Sequence, residues 1–222
     1  MTHKSKPSKI PWPTKDAMQQ VYEHNLWGGS DTPFYSGTGS HDAATIQPYI
    51  EEVIAFFESL EIPPVVCDLG CGDFNVGKEL VPYTQTYTAV DIVPELIAHN
   101  TKTFKSEQLS FATLDLVNDP LPKGDCALLR QVLQHLSNAE IASIVNKLYA
   151  YHYVILTEHL PDQEFIPNVD IISGQGIRLK KHSGVDVLAP PFNFKVKAAK
   201  QLVSLPAPGV KGRLVTTLYT VF

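Results

Sequence analysis

Val65-Val-Cys-Asp68-Leu-Gly70-Cys-Gly72-Asp-Phe-Asn-Val-Gly77 is the stretch on which the fold turns. Pro63-Pro64 ends what precedes it, and Val65 to Leu69 is a short apolar run of the kind that forms a strand buried on both faces of a parallel sheet. The glycines behind that run permit a tight turn and let backbone approach a ligand at a helix N-terminus. The spacing departs from the dinucleotide fingerprint G-x-G-x-x-G, because the sixth position counted from Gly70 is Asn75.

Downstream, the same alternation repeats. Tyr87-Thr-Ala-Val-Asp91 reads as a second strand, with Pro94 opening the helix behind it. Leu109-Ser-Phe-Ala-Thr-Leu-Asp115 reads as a third strand and Cys126-Ala-Leu-Leu129 as a fourth. Ser137-Asn-Ala-Glu140 is a capping box, and Ile141, Ile144, Val145 and Leu148 form the apolar stripe of the helix it starts. A fifth strand follows at Tyr153-Val-Ile-Leu-Thr157, ahead of Glu158 and His159. Lys200 to Leu205 and Arg213 to Val221 flank the turn Pro206-Ala-Pro-Gly-Val-Lys-Gly212, which is a hairpin. Strands alternating with helices imply a parallel sheet covered on both faces. The expected fold is therefore α/β, a doubly wound, Rossmann-like and mainly parallel seven-stranded sheet that ends in an antiparallel hairpin.

Upstream, Ile46, Tyr49, Ile50, Val53, Ile54, Phe57 and Leu60 recur at helical steps over about residues 42 to 60, with Pro48 expected in the first turn. Residues 26–60 are read as an N-terminal lid and helix: four glycines between Trp27 and Ser40 alternate with Trp27, Phe34 and Tyr35, and aromatics need a surface to pack on. Residues 1–25, with Lys4, Lys6, Lys9 and Lys15 among Pro7, Pro11 and Pro13, read as a basic, proline-rich arm. The remainder, 26–222, is one domain, in which 160–196 is a long connection without helical periodicity, expected to shape the acceptor site. Arg178 within it suggests an anionic acceptor or else a surface arginine.

In an open α/β sheet the ligand lies at the carboxyl ends of the strands. Asp68, Asp91 and Asp115 fall at the ends of the first three, where they either bind or cap the helices that follow. Asp91, 19 residues beyond Gly72, has the spacing of an acid that takes ribose hydroxyls, so a nucleoside is favoured over a free phosphate.

With these residues in place the chain resembles the class I S-adenosylmethionine-dependent methyltransferases: in Asp68-Leu-Gly-Cys-Gly72, in Val90-Asp91-Ile92, in Leu114-Asp115-Leu116 and in Arg130-Gln-Val-Leu-Gln-His-Leu136. The resemblance implies that Asp68, Gly70 and Gly72 line the methionine moiety of S-adenosylmethionine. It implies that Asp91 takes the ribose, Ile92 lies against adenine, Asp115 and Leu116 address the adenine edge, and Arg130 and Gln131 sit beside the amino group and methyl. Tyr35 and Ser36 would close over the cofactor. Many members have a glycine where this chain has Phe74. The candidate catalytic residues are His135, whose ordinary pKa near ~6.5 suits a general base, and Glu158; the alternative for His135 is a structural role. Ala189-Pro-Pro-Phe192 lacks the polar first residue of the amino-methylating nucleic-acid enzymes and follows the fifth strand, not the fourth.

Composition narrows the partners. With 18 Lys and Arg against 23 Asp and Glu, the net charge is -5, which argues against nucleic acid as the acceptor. Three cysteines, Cys67, Cys71 and Cys126, make no disulfide framework and no metal-ligand spacing, so no metal is expected and a cytoplasmic location is. No apolar run approaches a bilayer span. The expected activity is methyl transfer to an unidentified acceptor, a small molecule being favoured. A non-catalytic cofactor-binding or interaction protein and an NAD-type Rossmann oxidoreductase are the rival readings.

Overall fold

The computed structural model describes residues 12–29 and 32–222. Its centre is a sheet of seven strands: β1 (Val65–Leu69), β2 (Thr86–Asp91), β3 (Leu109–Thr113), β4 (Cys126–Arg130), β5 (Tyr153–Leu160), β6 (Ala198–Pro206) and β7 (Arg213–Thr220). Their spatial order is β3-β2-β1-β4-β5-β7-β6. Six run in one direction, and β7 runs against them, paired antiparallel to both β5 and β6. The doubly wound sheet with a terminal hairpin is as expected from sequence.

Period-two alternation sorts the core into two layers. Val66, Leu128 and Ile155 face one way and pack with Tyr49, Ile50, Val53 and Phe57 of α2 (Ala43–Glu58). Cys67, Leu129 and Val154, their immediate neighbours, face the other way onto Ile141, Ile144, Val145 and Leu148 of α5 (Asn138–Leu148). The capping box forms as expected: the Ser137 hydroxyl accepts from the Glu140 N–H, and the Glu140 carboxylate accepts from the Ser137 N–H at 3.0 Å. Between α2 and α5 in the chain lie α3 (Gly77–Leu80) and α4 (Pro94–Thr103).

Four expectations change. Lys4, Lys6, Lys9, Pro7 and Pro11 of the arm lie outside the described residues, but its second half is a helix, α1 (Thr14–Glu23), with Met18 and Val21 buried. Pro48 lies inside α2 and not in its first turn, because the helix already starts at Ala43 behind Asp42. Strand β3 ends at Thr113, opposite Asp91, so Asp115 lies beyond it. Strand β5 runs on to Leu160, which leaves Glu158 and His159 inside a strand.

The chain order reverses direction at β1, which lies between β2 and β4. That switch point opens a crevice at the carboxyl ends of the strands. The long connection from 161 to 197 contains only a short turn of 3₁₀ helix, Arg178–Lys181. It supplies Gln175 and Ile177 to the crevice and Val185, Val187 and Phe194 to the core on the α5 side.

Candidate active site

The loop after β1 is held down by β2. Gly70 and Cys71 both donate their N–H to the Val90 carbonyl at 2.9 Å, and Gly72 donates to Asp91 Oδ2 at 3.1 Å. Gly70 has φ of 91°, and a Cβ built there would come within 2.5 Å of the Val132 side chain, so only glycine lets the loop lie this close to the turn after β4. Phe74 adopts φ of 62° itself and turns its ring into the core against Tyr87, Phe104 and Phe111, at 4.9 to 5.6 Å between centroids. The Phe74 side chain thus leaves the crevice open.

The crevice has a volume of about 350 Å³. Ser36, Asp68, Gly70, Gly72, Asp91, Ile92, Asp115, Leu116, Arg130, Gln131 and His135 all line it, whereas Tyr35 and Glu158 do not. Asp68 is buried and accepts from the Tyr87 hydroxyl at 2.9 Å; burial pushes its carboxyl up to about 7 against that hydrogen bond. Burial also raises Asp91, while the N–H groups of Val93 and Gly72, aimed at its two oxygens, pull it back down. Asp115 does both things expected of a strand-end acid: it caps the following turn, accepting from the Val117 N–H at 2.8 Å, and it lines the crevice.

Arg130 ends β4. Its guanidinium donates to the Gly39 carbonyl and, at 3.2 Å, to Ser40 Oγ, and its carbon lies 5.2 Å from the centre of the Tyr49 ring. Its Nε is buried without a hydrogen-bond partner. Burial lowers its pKa, though not enough to discharge an arginine at neutral pH.

Residues not singled out from sequence close the roof. Asp73 accepts from the Ser36 N–H at 2.9 Å and pairs with His41 Nε2 at 2.6 Å, while its own N–H donates to Ser36 Oγ. Tyr22 of α1 reaches the same Ser36 hydroxyl, and Tyr35 stacks on His41 at 4.4 Å, one step back from the cavity. The adjacency of Asp73 to the glycine loop was the available signal; His41 and Tyr22 carried none, since their contact with the loop is made only by folding.

His135 lies in the crevice wall with both ring nitrogens engaged. Gln134 Oε1 accepts from the His159 N–H, which fixes the amide so that Gln134 Nε2 faces His135 Nε2 at 3.2 Å. His135 Nδ1 faces the Gly174 carbonyl at 3.2 Å, so Nδ1 carries the proton and Nε2 accepts. Burial of the ring lowers its pKa to about 4. Glu158 is placed away from the crevice: it is buried in β5, both carboxyl oxygens lack a partner, and burial pushes it up to about 8. Arg178 is neither an anion site nor a surface residue. At 1% exposure it bonds the Leu133, Gln134 and Leu136 carbonyls and Asn138 Oδ1, pinning the turn that carries His135. Among the described residues no cluster of His, Cys, Asp or Glu could hold a metal ion, and no helix is long and apolar enough to cross a membrane.

Residues 67–152, the segment from within β1 to the residue before β5, match the family model described as a methyltransferase domain. That segment is similar to a methyltransferase domain. The fold of the chain is shared with solved methyltransferases at low identity. The N-methyltransferase NodS of Bradyrhizobium japonicum WM9 is 14% identical, with 92% of this chain and 99% of that chain covered and a TM-score of 0.64. Magnesium protoporphyrin IX methyltransferase of Synechocystis PCC 6803 is 15% identical, with 95% and 99% covered and a TM-score of 0.58. Human N-acetylserotonin methyltransferase is 19% identical with a TM-score of 0.56; 95% of this chain is covered, but only 60% of the human one. A comparison with curated protein sequences found no match. The crevice thus lies at the strand ends, lined by most of the residues that sequence motifs singled out.

Proposed function

We propose that the protein transfers a methyl group from S-adenosylmethionine to a small-molecule acceptor. The observation that carries this reading is the charge pattern of the crevice. Asp68 and Asp91 stand at the ends of β1 and β2, Asp115 lies two residues beyond β3, and the buried, unpartnered Nε of Arg130 stands at the end of β4. That donor set fits a cofactor with a sulfonium, an ammonium, a ribose diol and a single carboxylate, and the three solved relatives described above include enzymes crystallised with this cofactor or its product.

In this reading Asp91, held rigid by two backbone N–H groups, accepts from the ribose hydroxyls. Ile92 lies against adenine, and Asp115 with the backbone of Leu116 meets its edge. Gly70 and Gly72 admit the methionine moiety and Asp68 takes its ammonium. Like charges repel, so Arg130 does not serve the amino group; its free Nε–H donates to the carboxylate. Gln131 borders the methyl, and Ser36 closes the site over the glycine loop with Tyr35 behind it. When bound, the cofactor would supply an electrophilic methyl on a sulfonium, so that the acceptor needs only a free lone pair. The protein aligns the two groups and excludes water, which is catalysis by proximity and orientation. His135, neutral and hydrogen-bonded on both nitrogens, forms wall and not base.

Calorimetry tests the reading directly. S-adenosylhomocysteine should bind and NAD should not, and Asp91→Ala should weaken the first by about 1–3 kcal/mol through loss of a charged acceptor. Unchanged affinity in a folded Asp91→Ala variant, or preference for NAD, removes the cofactor assignment. Methyl transfer from labelled cofactor into a fractionated extract then separates an enzyme from a non-catalytic binder.

A further inference from the structure

We propose that the end of the crevice beneath Trp27 is the acceptor subsite and that it takes an uncharged, flat ring system. The inference rests on the cofactor reading for what lies next to the subsite; its walls speak for themselves. The indole of Trp27 is half-buried, braced edge-on by Tyr22 at 5.4 Å, and its centre lies 5.2 Å from the His135 ring. More of the lining comes from the long connection: Gln175 and Ile177 line the same crevice, with Leu136. That lining is anchored, because the Gly174 N–H donates to the His135 carbonyl at 3.0 Å and Gln175 Nε2 donates to the Leu26 carbonyl at 2.7 Å.

Among the described residues, the charges around this end are already engaged: the Glu140 carboxylate, reached from Thr14 of the lining, is held by the Thr14, Ser137 and Ser173 hydroxyls. The crevice residues ionised at neutral pH, other than the acids already described, reduce to Arg130, which ends β4 and is committed to Gly39 and Ser40. Arg178, next in sequence to Ile177, points away and spends its guanidinium on three carbonyls and Asn138. Asp73 is paired with His41. The His135 nitrogens face Gln134 and Gly174 in the neutral tautomer. An anion entering here would lose its hydration and meet no counter-charge, and a cation would find no free carboxylate. A neutral ring loses little water and gains an aromatic face, which stacking on tryptophan rewards.

The test uses the full chain and three probes that share one ring: neutral 1-naphthol, anionic 1-naphthoate and cationic 1-naphthylmethylammonium, titrated by calorimetry at pH 7 with and without S-adenosylhomocysteine. Naphthol should bind at least tenfold more tightly than either ion. Trp27→Ala should weaken naphthol at least tenfold, while Trp12→Ala, at a side chain 62% exposed, should not. Ile177→Lys, which places a cation in the crevice lining, should turn the preference toward naphthoate, and it decides the matter should Trp27→Ala fail to fold. Tighter binding of either ion by the unaltered protein, undetectable naphthol binding, or an Ile177→Lys variant with unaltered preference overturns the proposal. Failure of S-adenosylhomocysteine to bind overturns the cofactor reading alone, since the naphthyl arms run without it still decide the subsite.

Discussion

Asp68 is the residue whose chemistry is most sensitive to its surroundings. Its carboxyl is pushed up to about 7 by burial, next to the ammonium position in the proposed cofactor pose. Below pH 7 the free protein holds the protonated form, and binding a cation there expels the proton. Affinity for S-adenosylhomocysteine should therefore rise through pH 6 to 8, change by up to tenfold per unit below 7 and level off above it. Asp68→Asn should bind more weakly at pH 8 and show a flat profile; a wild-type profile that is already flat would place the ammonium elsewhere. His135 makes the opposite point. A general base contributes ~10²- to 10⁴-fold, yet the ring's pKa is lowered to about 4 and its Nε2 accepts from Gln134. His135→Gln should lower single-turnover methyl transfer by less than tenfold, and a larger loss, together with loss of an acidic limb in the pH-rate profile, would restore the base. The strand-end acids were legible in the sequence because an acidic residue after a short apolar run is a local pattern. The state of His135 was not, since Gln134, His159 and Gly174 meet it only in the folded chain.

Element boundaries were less legible than element types, and the reason is that strands end where their partners end. The apolar run Tyr153 to Thr157 ends before Glu158, yet β5 pairs residue for residue with β7 from Tyr153 to Leu160, and that antiparallel ladder carries Glu158 into the sheet. Conversely β3 stops at Thr113 because its partner β2 stops at Asp91. Helix α1 escaped notice for a related reason. Its apolar face is small, essentially Met18 and Val21 with Tyr22, and it is stabilised by Val93 and Leu96 at the start of α4, a contact remote in sequence. Helix α5 was legible outright, since a capping box and a 3.6-residue stripe are both local. In place, α1 and the 36–41 segment roof the crevice through Tyr22, Ser36 and the Asp73–His41 pair. Hydrogen exchange should therefore show added protection at 14–23 and 36–41 when S-adenosylhomocysteine binds. Protection confined to the loops around Gly70, Asp91 and Asp115 would make the segment ordinary packing and take Ser36 and Tyr35 out of the site.

Across the whole molecule, the unusual feature is how much ionisable chemistry lies beneath the turn that carries His135. Arg178 and Glu158 are both buried there, and neither Arg178 Nε nor the Glu158 oxygens have a hydrogen-bond partner. Burial pushes Glu158 from its ordinary 4.5 up to about 8, so between those values the unfolded chain has released a proton that the folded protein keeps. The folded state then binds more protons, and stability must fall as pH rises through that window, by at most ~1.4 kcal/mol per unit, and level off above 8. The His135 contribution has the opposite sign, because its pKa is lowered from 6.5 to about 4, but it is complete once the pH exceeds 6.5. Asp68, raised like Glu158, acts equally on wild type and variant and cancels in their difference. Urea unfolding of the wild type and of Glu158→Gln at half-unit steps from pH 6.5 to 9 isolates the effect. The variant should gain on the wild type steadily up to pH 8 and hold a constant margin beyond it. Parallel curves across the whole range would mean that the carboxyl is already ionised in the folded protein, and that Arg178 is attached to the sheet by a true ion pair as well as to the turn by its carbonyls.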